Sequence, residues 1–293
     1  MKNELRSRLV IGGASLNGLP IREVFNILDT AFELGIREID TAPLYGDSEF
    51  LIGKYMDNNP NFSVSTKVGR PSPDEFSPEY ILKQVRESIS KLRCGRLETV
   101  FIHSLKSQDS LRDENIAALL DLKNLGLIKN IGYSGDNRDL LEVSQGPFDS
   151  YMCTFNLIDR ENATFINELN PRTPLYFKRA LANAVWAIPQ KERIRQKLAL
   201  KRHGESVFDV QSYEFRMIKL FGIGNLMRGG LGQFLPFVLS FSKTAKVLVG
   251  VRSAKHLSML VSLERQQQNV EQCIDPLDNF EKMSKKYSWR AIT

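Results

Sequence analysis

The chain has 293 residues, 42% hydrophobic and 25% charged, with a formal net charge of +6 at pH 7, an average globular composition that supports a large buried core. Its three cysteines, Cys94, Cys153 and Cys273, are too few and too scattered for a disulfide framework or a metal site, so a reducing, cytoplasmic setting is expected. No apolar run nears the roughly 18 residues of a membrane span, the N-terminus lacks a signal-peptide core, and the positive charge comes without a zinc finger, an RNA-binding signature or a basic tail.

In chain order, short β-branched or apolar runs alternate with longer segments of helical period. A strand over 8–13 precedes a helix over 21–35, in which Val24, Ile27, Leu28, Ala31 and Leu34 share one face and Gly35 closes the end. A strand over 36–40 leads to a helix over 48–56. A strand over 62–67 leads to a helix over 78–93, opened by Ser77 as N-cap and Pro78 in the first turn. The remaining pairs are 99–103 with 113–126, 128–134 with 137–145, 149–155 with 160–169, 173–178 with a long helical region, and 245–250 with 253–268. Eight such pairs without a break in composition predict an α/β chain folded over 1–293 as a single (β/α)8 TIM barrel, with a long helical insertion at about 187–235 between strands 7 and 8. A doubly wound fold is disfavoured, because no Gly-x-Gly-x-x-Gly follows an early strand.

In such a barrel the reacting groups sit at the C-terminal ends of the strands. Three consecutive runs end on an ionisable residue, Asp40, Lys67 and His103, and Tyr45 follows in the second βα loop. A lone charged strand end is usually just solvated, but neighbouring parallel strands lie about 4.8 Å apart, so these four can converge. A tyrosine near pKa 10 is a poor acid at neutral pH unless a cation stabilises its phenolate, which Lys67 can do. Asp40 would keep that lysine charged, and a neutral His103 could orient a carbonyl oxygen. The set reads as general-acid catalysis on a carbonyl.

The blocks "EIDTAPLYGDSEFLIGKYM", "VSTKVGR", "KLRCGRLETVFIH", "IGYS" and "FNLIDR", in this order, resemble the aldo-keto reductase family over roughly residues 8–265. The resemblance implies a (β/α)8 barrel, a nicotinamide cofactor bound without a Rossmann domain, and carbonyl reduction. Asp40, Tyr45, Lys67 and His103 match the family's catalytic tetrad, with Tyr45 as proton donor. On the cofactor side, Ser134 and Asn156 match nicotinamide-proximal positions, and Lys178 falls where many relatives carry an aromatic. Two positions depart from the pattern: Gly135 replaces an asparagine and Met152 a glutamine, and core packing is the simpler reading of Met152 and Phe177. The segment "VGVRSAKHL" (249–257) matches the stretch that binds the adenosine phosphates. Gly250 and Ser253 lie there, Ser253 can cap a helix whose free N–H groups favour an anion, and Arg252 and Lys255 tilt the expectation toward NADP over NAD.

The segment "KERIRQKLALKRHGE" (191–205) gathers Lys191, Arg193, Arg195, Lys197, Lys201 and Arg202 beside His203. A solvated helix face is the simpler reading, and a lid or anion site for a sugar-linked or otherwise anionic substrate is the functional one. The expected activity is NAD(P)H-dependent reduction of an aldehyde, ketone or sugar-like carbonyl, with no metal. Two rivals remain: a nucleotide-binding sensor or partner subunit of the same family, and a Schiff-base aldolase using Lys67.

Overall fold

The computed structural model describes residues 6–59, 62–69, 76–105, 112–144, 146–187, 209–221, 231–266 and 274–290, with Arg195, Leu198 and Arg202 as single helical positions. Eight parallel strands close in sequence order into a barrel. They are β1 (Leu9–Gly12), β2 (Glu38–Asp40), β3 (Ser63–Val68), β4 (Leu97–His103), β5 (Ile128–Ser134), β6 (Ser150–Thr154), β7 (Leu175–Lys178) and β8 (Lys246–Val249). The helices of the outer layer are α1 (Ile21–Glu33), α2 (Ser48–Met56), α3 (Pro78–Leu92), α4 (Asp113–Asn124), α5 (Asn137–Val143), α6 (Ala163–Glu168), α7 (Tyr213–Phe221), α8 (Leu231–Phe241), α9 (Ala254–Arg265) and α10 (Ile274–Tyr287). All eight predicted strand–helix pairs are found, with ends moved by a few residues. Among the described residues, the long connection before β8 contains α7, α8 and the helical positions Arg195, Leu198 and Arg202, and α10 has no counterpart in the sequence reading.

Local chemistry explains the elements. α1 buries Val24, Ile27, Leu28 and Ala31, the face read from its period, and the valine, isoleucine and leucine side chains each contribute roughly 1.5–3 kcal/mol when fully buried. Leu34 caps it and Gly35 follows at φ 91°, a left-handed conformation that a Cβ would oppose. α3 begins with Ser77 accepting from Tyr80 N and with Pro78 in the first turn. Inside the barrel, Val10, Phe101, Met152 and Tyr176 form one apolar layer, and the Phe101 and Tyr176 rings meet edge to face at 5.5 Å. Gly132 makes room for that layer, since a Cβ there would stand 2.5 Å from the Phe101 ring. Below it, Lys246 pairs with Glu38 at 2.5 Å and lies over Tyr176, filling the N-terminal end of the barrel. Above it a cavity opens at the strands' C-terminal ends.

α10 and the segment after it dock on α7 through Phe215, Phe280 and Trp289. The guanidinium of Arg216 is fully buried there, 3.4 Å from Asp159, and donates to the carbonyl of Arg290. Among the described residues no helix is long and apolar enough to cross a membrane.

Candidate active site

The cavity has a volume of about 580 Å³, and Asp40, Tyr45, Lys67 and His103 all line it. The parallel register accounts for the convergence. Asp40 pairs with Ser65 and Lys67 with Phe101, so the three strand ends step around one rim. Tyr45 returns over them from a tight turn in which its N–H bonds to Ala42 O at 3.0 Å.

Lys67 Nζ donates to Asp40 Oδ2 at 2.5 Å and to the carbonyl of Thr41 at 2.9 Å, with both charged side chains almost wholly buried. Burial by itself would favour the neutral amine. The Asp40 carboxylate and the Tyr45 hydroxyl outweigh it, so Lys67 is held above its ordinary value and stays cationic. Its ammonium lies 4.9 Å from the centre of the Tyr45 ring, and the Tyr45 and His103 rings meet edge to face at 6.2 Å. The site therefore presents a phenol, an imidazole and the fixed Lys67 charge to the same space.

The cofactor-side residues divide. Ser134, Lys178, Gly250 and Arg252 line the cavity. The Ser134 hydroxyl is buried with no partner among the described residues, which suits it to an amide or similar polar group entering the cavity. Lys178 Nζ bonds to Asp136 at 2.9 Å, and burial, opposed by that carboxylate, lowers its affinity for a proton. Ser253 caps α9 by accepting from His256 N at 3.3 Å, so the opening turn of this helix faces the cavity edge beside Arg252 and His256. A helix N-terminus beside the Arg252 guanidinium fits a phosphate, so the residues present fit a dinucleotide. Lys255 is exposed and does not line the cavity. Asn156 also stands apart from the lining: its amide nitrogen donates to Arg179 O at 3.0 Å and to the Tyr213 hydroxyl, and its oxygen accepts from Ile158 N. As placed, Asn156 braces the chain that follows β7.

Met152 lies fully buried in the interior layer and forms part of the cavity floor, whereas Phe177 packs outward on Phe155 at 5.0 Å. At Gly135 a Cβ would stand 2.3 Å from the Tyr133 ring, so Tyr133 occupies the space that a larger residue would need.

Sequence reasoning missed several lining residues. Ser15 ties the loop after β1 to the loop after β8, donating to Gly12 O and accepting from Val251 N at 2.9 Å each. Leu44, 57% exposed, and Ala184 give the mouth an apolar edge. Arg179, Ala182, Asn183 and Ala184 all adopt positive φ, a run of non-glycine left-handed residues that no composition signal announces. Asp136 is gripped by Thr154 N at 2.6 Å, Thr154 Oγ1 and Asn162 Nδ2 at 3.0 Å. Of the basic segment, Arg195 and Arg202 are exposed, while Lys191, Arg193, Lys197, Lys201 and His203 lie outside the described residues. Among the described residues no cluster of His, Cys, Asp or Glu could hold a metal ion.

Residues 8–167, from β1 into α6, match the model of the Aldo/keto reductase family. D-arabinose 1-dehydrogenase of Saccharomyces cerevisiae is 37% identical over 194 residues, covering 56% of each chain. An uncharacterized oxidoreductase of Bacillus subtilis, YqkF, is 31% identical over 166 residues, covering 53% of this chain and 54% of its own. The chain thus spans about half the length of the curated relatives it matches. Among solved structures, the holo form of the aldo-keto reductase AKR11C1 from Bacillus halodurans superposes with a TM-score of 0.68 over 93% of this chain and 92% of its own at 18% identity, a likeness of fold. The matched span contains the strands that carry Asp40, Lys67 and His103 and the loop that carries Tyr45, and the chain belongs to the aldo/keto reductase family.

Proposed function

We propose that this protein reduces a carbonyl compound to an alcohol with a nicotinamide nucleotide, with Tyr45 as the proton donor. The nucleotide supplies the hydride when bound. The Tyr45 hydroxyl delivers the proton to the carbonyl oxygen, and the negative charge left on the phenol is balanced by Lys67. Asp40 and the Thr41 carbonyl fix the ammonium in place, so its charge acts without reorganising. His103, whose ring meets that of Tyr45 edge to face, orients the carbonyl oxygen. Ser134, Lys178, Gly250, Arg252 and Ser253 are the residues we assign to the nucleotide, and the Arg252 charge at the start of α9 favours NADP over NAD. Lys255 and Asn156 would act on it only at a distance.

The single observation that carries this reading is the meeting of Asp40, Tyr45, Lys67 and His103 in one cavity with the lysine locked in an ion pair. The same pairing argues against a Schiff-base aldolase, because a cationic amine held by a carboxylate is a poor nucleophile. The complete set of four argues against a sensor without turnover. A cytoplasmic setting accords with the sparse cysteines.

A fluorescence titration with NADPH and NADH, followed by a panel of aldehydes, ketones, sugars and phosphorylated sugars, tests the proposal. Saturable nucleotide binding and reduction of at least one carbonyl are expected. Absence of nucleotide binding, or borohydride trapping of a substrate on Lys67, would overturn it.

A further inference from the structure

Asp40 and Lys67 each have a chain neighbour that points the other way, out of the barrel. These are Thr41 and Thr66, both fully buried. Consecutive residues at the start of α2 bind them. Ser48 Oγ meets Thr41 Oγ1 at 2.9 Å, and Thr66 Oγ1 donates to Glu49 Oε1 at 2.7 Å. Ser48 and Glu49 are themselves buried, and the other carboxylate oxygen of Glu49 has no partner among the described residues. Retaining a carboxylate with an unmatched oxygen in such a place is costly, so packing alone does not explain it.

The geometry reaches three of the four candidate reacting groups. Thr41 carries the carbonyl that accepts from Lys67, and its own N–H bonds to Ser65 O at 2.9 Å, across the β2–β3 ladder. The Thr41–Ser48 bond also closes the loop that bears Tyr45, within which Ser48 N bonds to Tyr45 O at 3.1 Å. Gly13 packs against the same bond: a Cβ at that position would stand 2.7 Å from Ser48 Oγ and 2.9 Å from Thr41 Oγ1.

We propose that Ser48 and Glu49 form a two-armed clamp, gripping Thr41 and Thr66 so that α2 sets the relative positions of Asp40, Lys67 and Tyr45. Ser48, Glu49, Thr41 and Thr66 are positioning residues and touch no reactant. This inference rests on the reading of Tyr45 and Lys67 as the reaction centre.

The experiment contrasts hydroxyl with volume. Thr41→Val keeps the shape and removes the hydroxyl, whereas Thr41→Ser keeps the hydroxyl and removes a methyl. With a clamp, Thr41→Val lowers kcat by roughly 10- to 100-fold, the scale of a misplacement of about 1 Å, while KM and nucleotide Kd stay within about twofold. Thr41→Ser stays within about threefold of wild type. Thr66→Val and Thr66→Ser follow the same order, and Thr41→Val/Ser48→Ala is no worse than either single change because both remove one bond. The reverse order, with the valine variants active and the serine variants impaired, indicates packing only and overturns the proposal, as do independent, multiplying losses in the double variant.

Amide exchange over residues 41–48 provides a readout that needs no turnover. Ser48→Ala accelerates it by about tenfold without speeding exchange in α9, as expected for a local opening. Unchanged exchange refutes the clamp whether or not the wild type reduces a carbonyl, and a wild type that reduces none with accelerated exchange refutes only the assigned reaction.

Discussion

Replacing Lys67 by methionine leaves Asp40 alone in a site where its side chain is only 3% exposed. Burial already pushes the Asp40 carboxyl up, and the Lys67 charge is the main force against that shift. In Lys67→Met that opposition is gone, so the carboxyl holds its proton to a higher pH in the folded state than in the unfolded chain, where it is released above about pH 3.9. The folded state binds more protons, so stability must fall as pH rises, by up to about 1.4 kcal/mol per pH unit. Breaking a buried pair by removing one partner costs roughly 3–5 kcal/mol, so a loss of that order is expected at neutral pH. Lys67→Met/Asp40→Leu removes both charges, and such replacements are often near neutral, so it should lie within about 2 kcal/mol of wild type with no added slope. Urea denaturation of the three proteins from pH 5 to 8, with equal m values, measures this. A single variant as stable as the double one and equally flat with pH would refute the buried pair, and with it the argument that Asp40 keeps the lysine charged.

Tyr45→Phe should lower turnover by about 10²- to 10⁴-fold, the usual range for losing a general acid, while nucleotide titration gives Kd within about twofold; near-normal turnover removes Tyr45 from the reaction. Ser134→Ala should weaken nucleotide binding about 3- to 10-fold, matching one neutral hydrogen bond, and unchanged Kd would show that the hydroxyl meets nothing there. Burial raises Asp159 to about 6 against the pull of Arg216, so this group makes the folded state lose stability as pH rises between about 4 and 6, and denaturation curves of Asp159→Asn should lack that contribution. Changing Arg193, Arg195, Lys197 and Arg202 to Ser or Gln should raise KM for an anionic carbonyl and flatten its salt dependence while sparing a small neutral aldehyde, if these groups steer substrate; unchanged salt dependence identifies a solvated face.

The sequence by itself determined the barrel and pointed to the four residues that meet at its rim. Eight changes between strand and helical period fix the βα succession, and a strand that ends on Asp40, Lys67 or His103 must deliver that side chain to one rim of a parallel barrel. Ser253 was legible as a cap, because capping is local. Contacts between distant positions were not. Asp136 meets Lys178 only because closure places the ends of β5, β6 and β7 side by side, with Thr154 between them. Asn156 matched a cofactor position in the sequence, yet the turn that pairs it with Asp159 directs its amide to Arg179 O and Tyr213. Ser48 and Glu49 read as an ordinary helix start, and nothing in their spacing indicates that they meet Thr41 and Thr66, residues that face outward for the same alternation that turns Asp40 and Lys67 inward. Period and local capping are properties of neighbours along the chain, whereas these partners are chosen by strand register and by how α2 lies against the barrel, and only tertiary packing decides both.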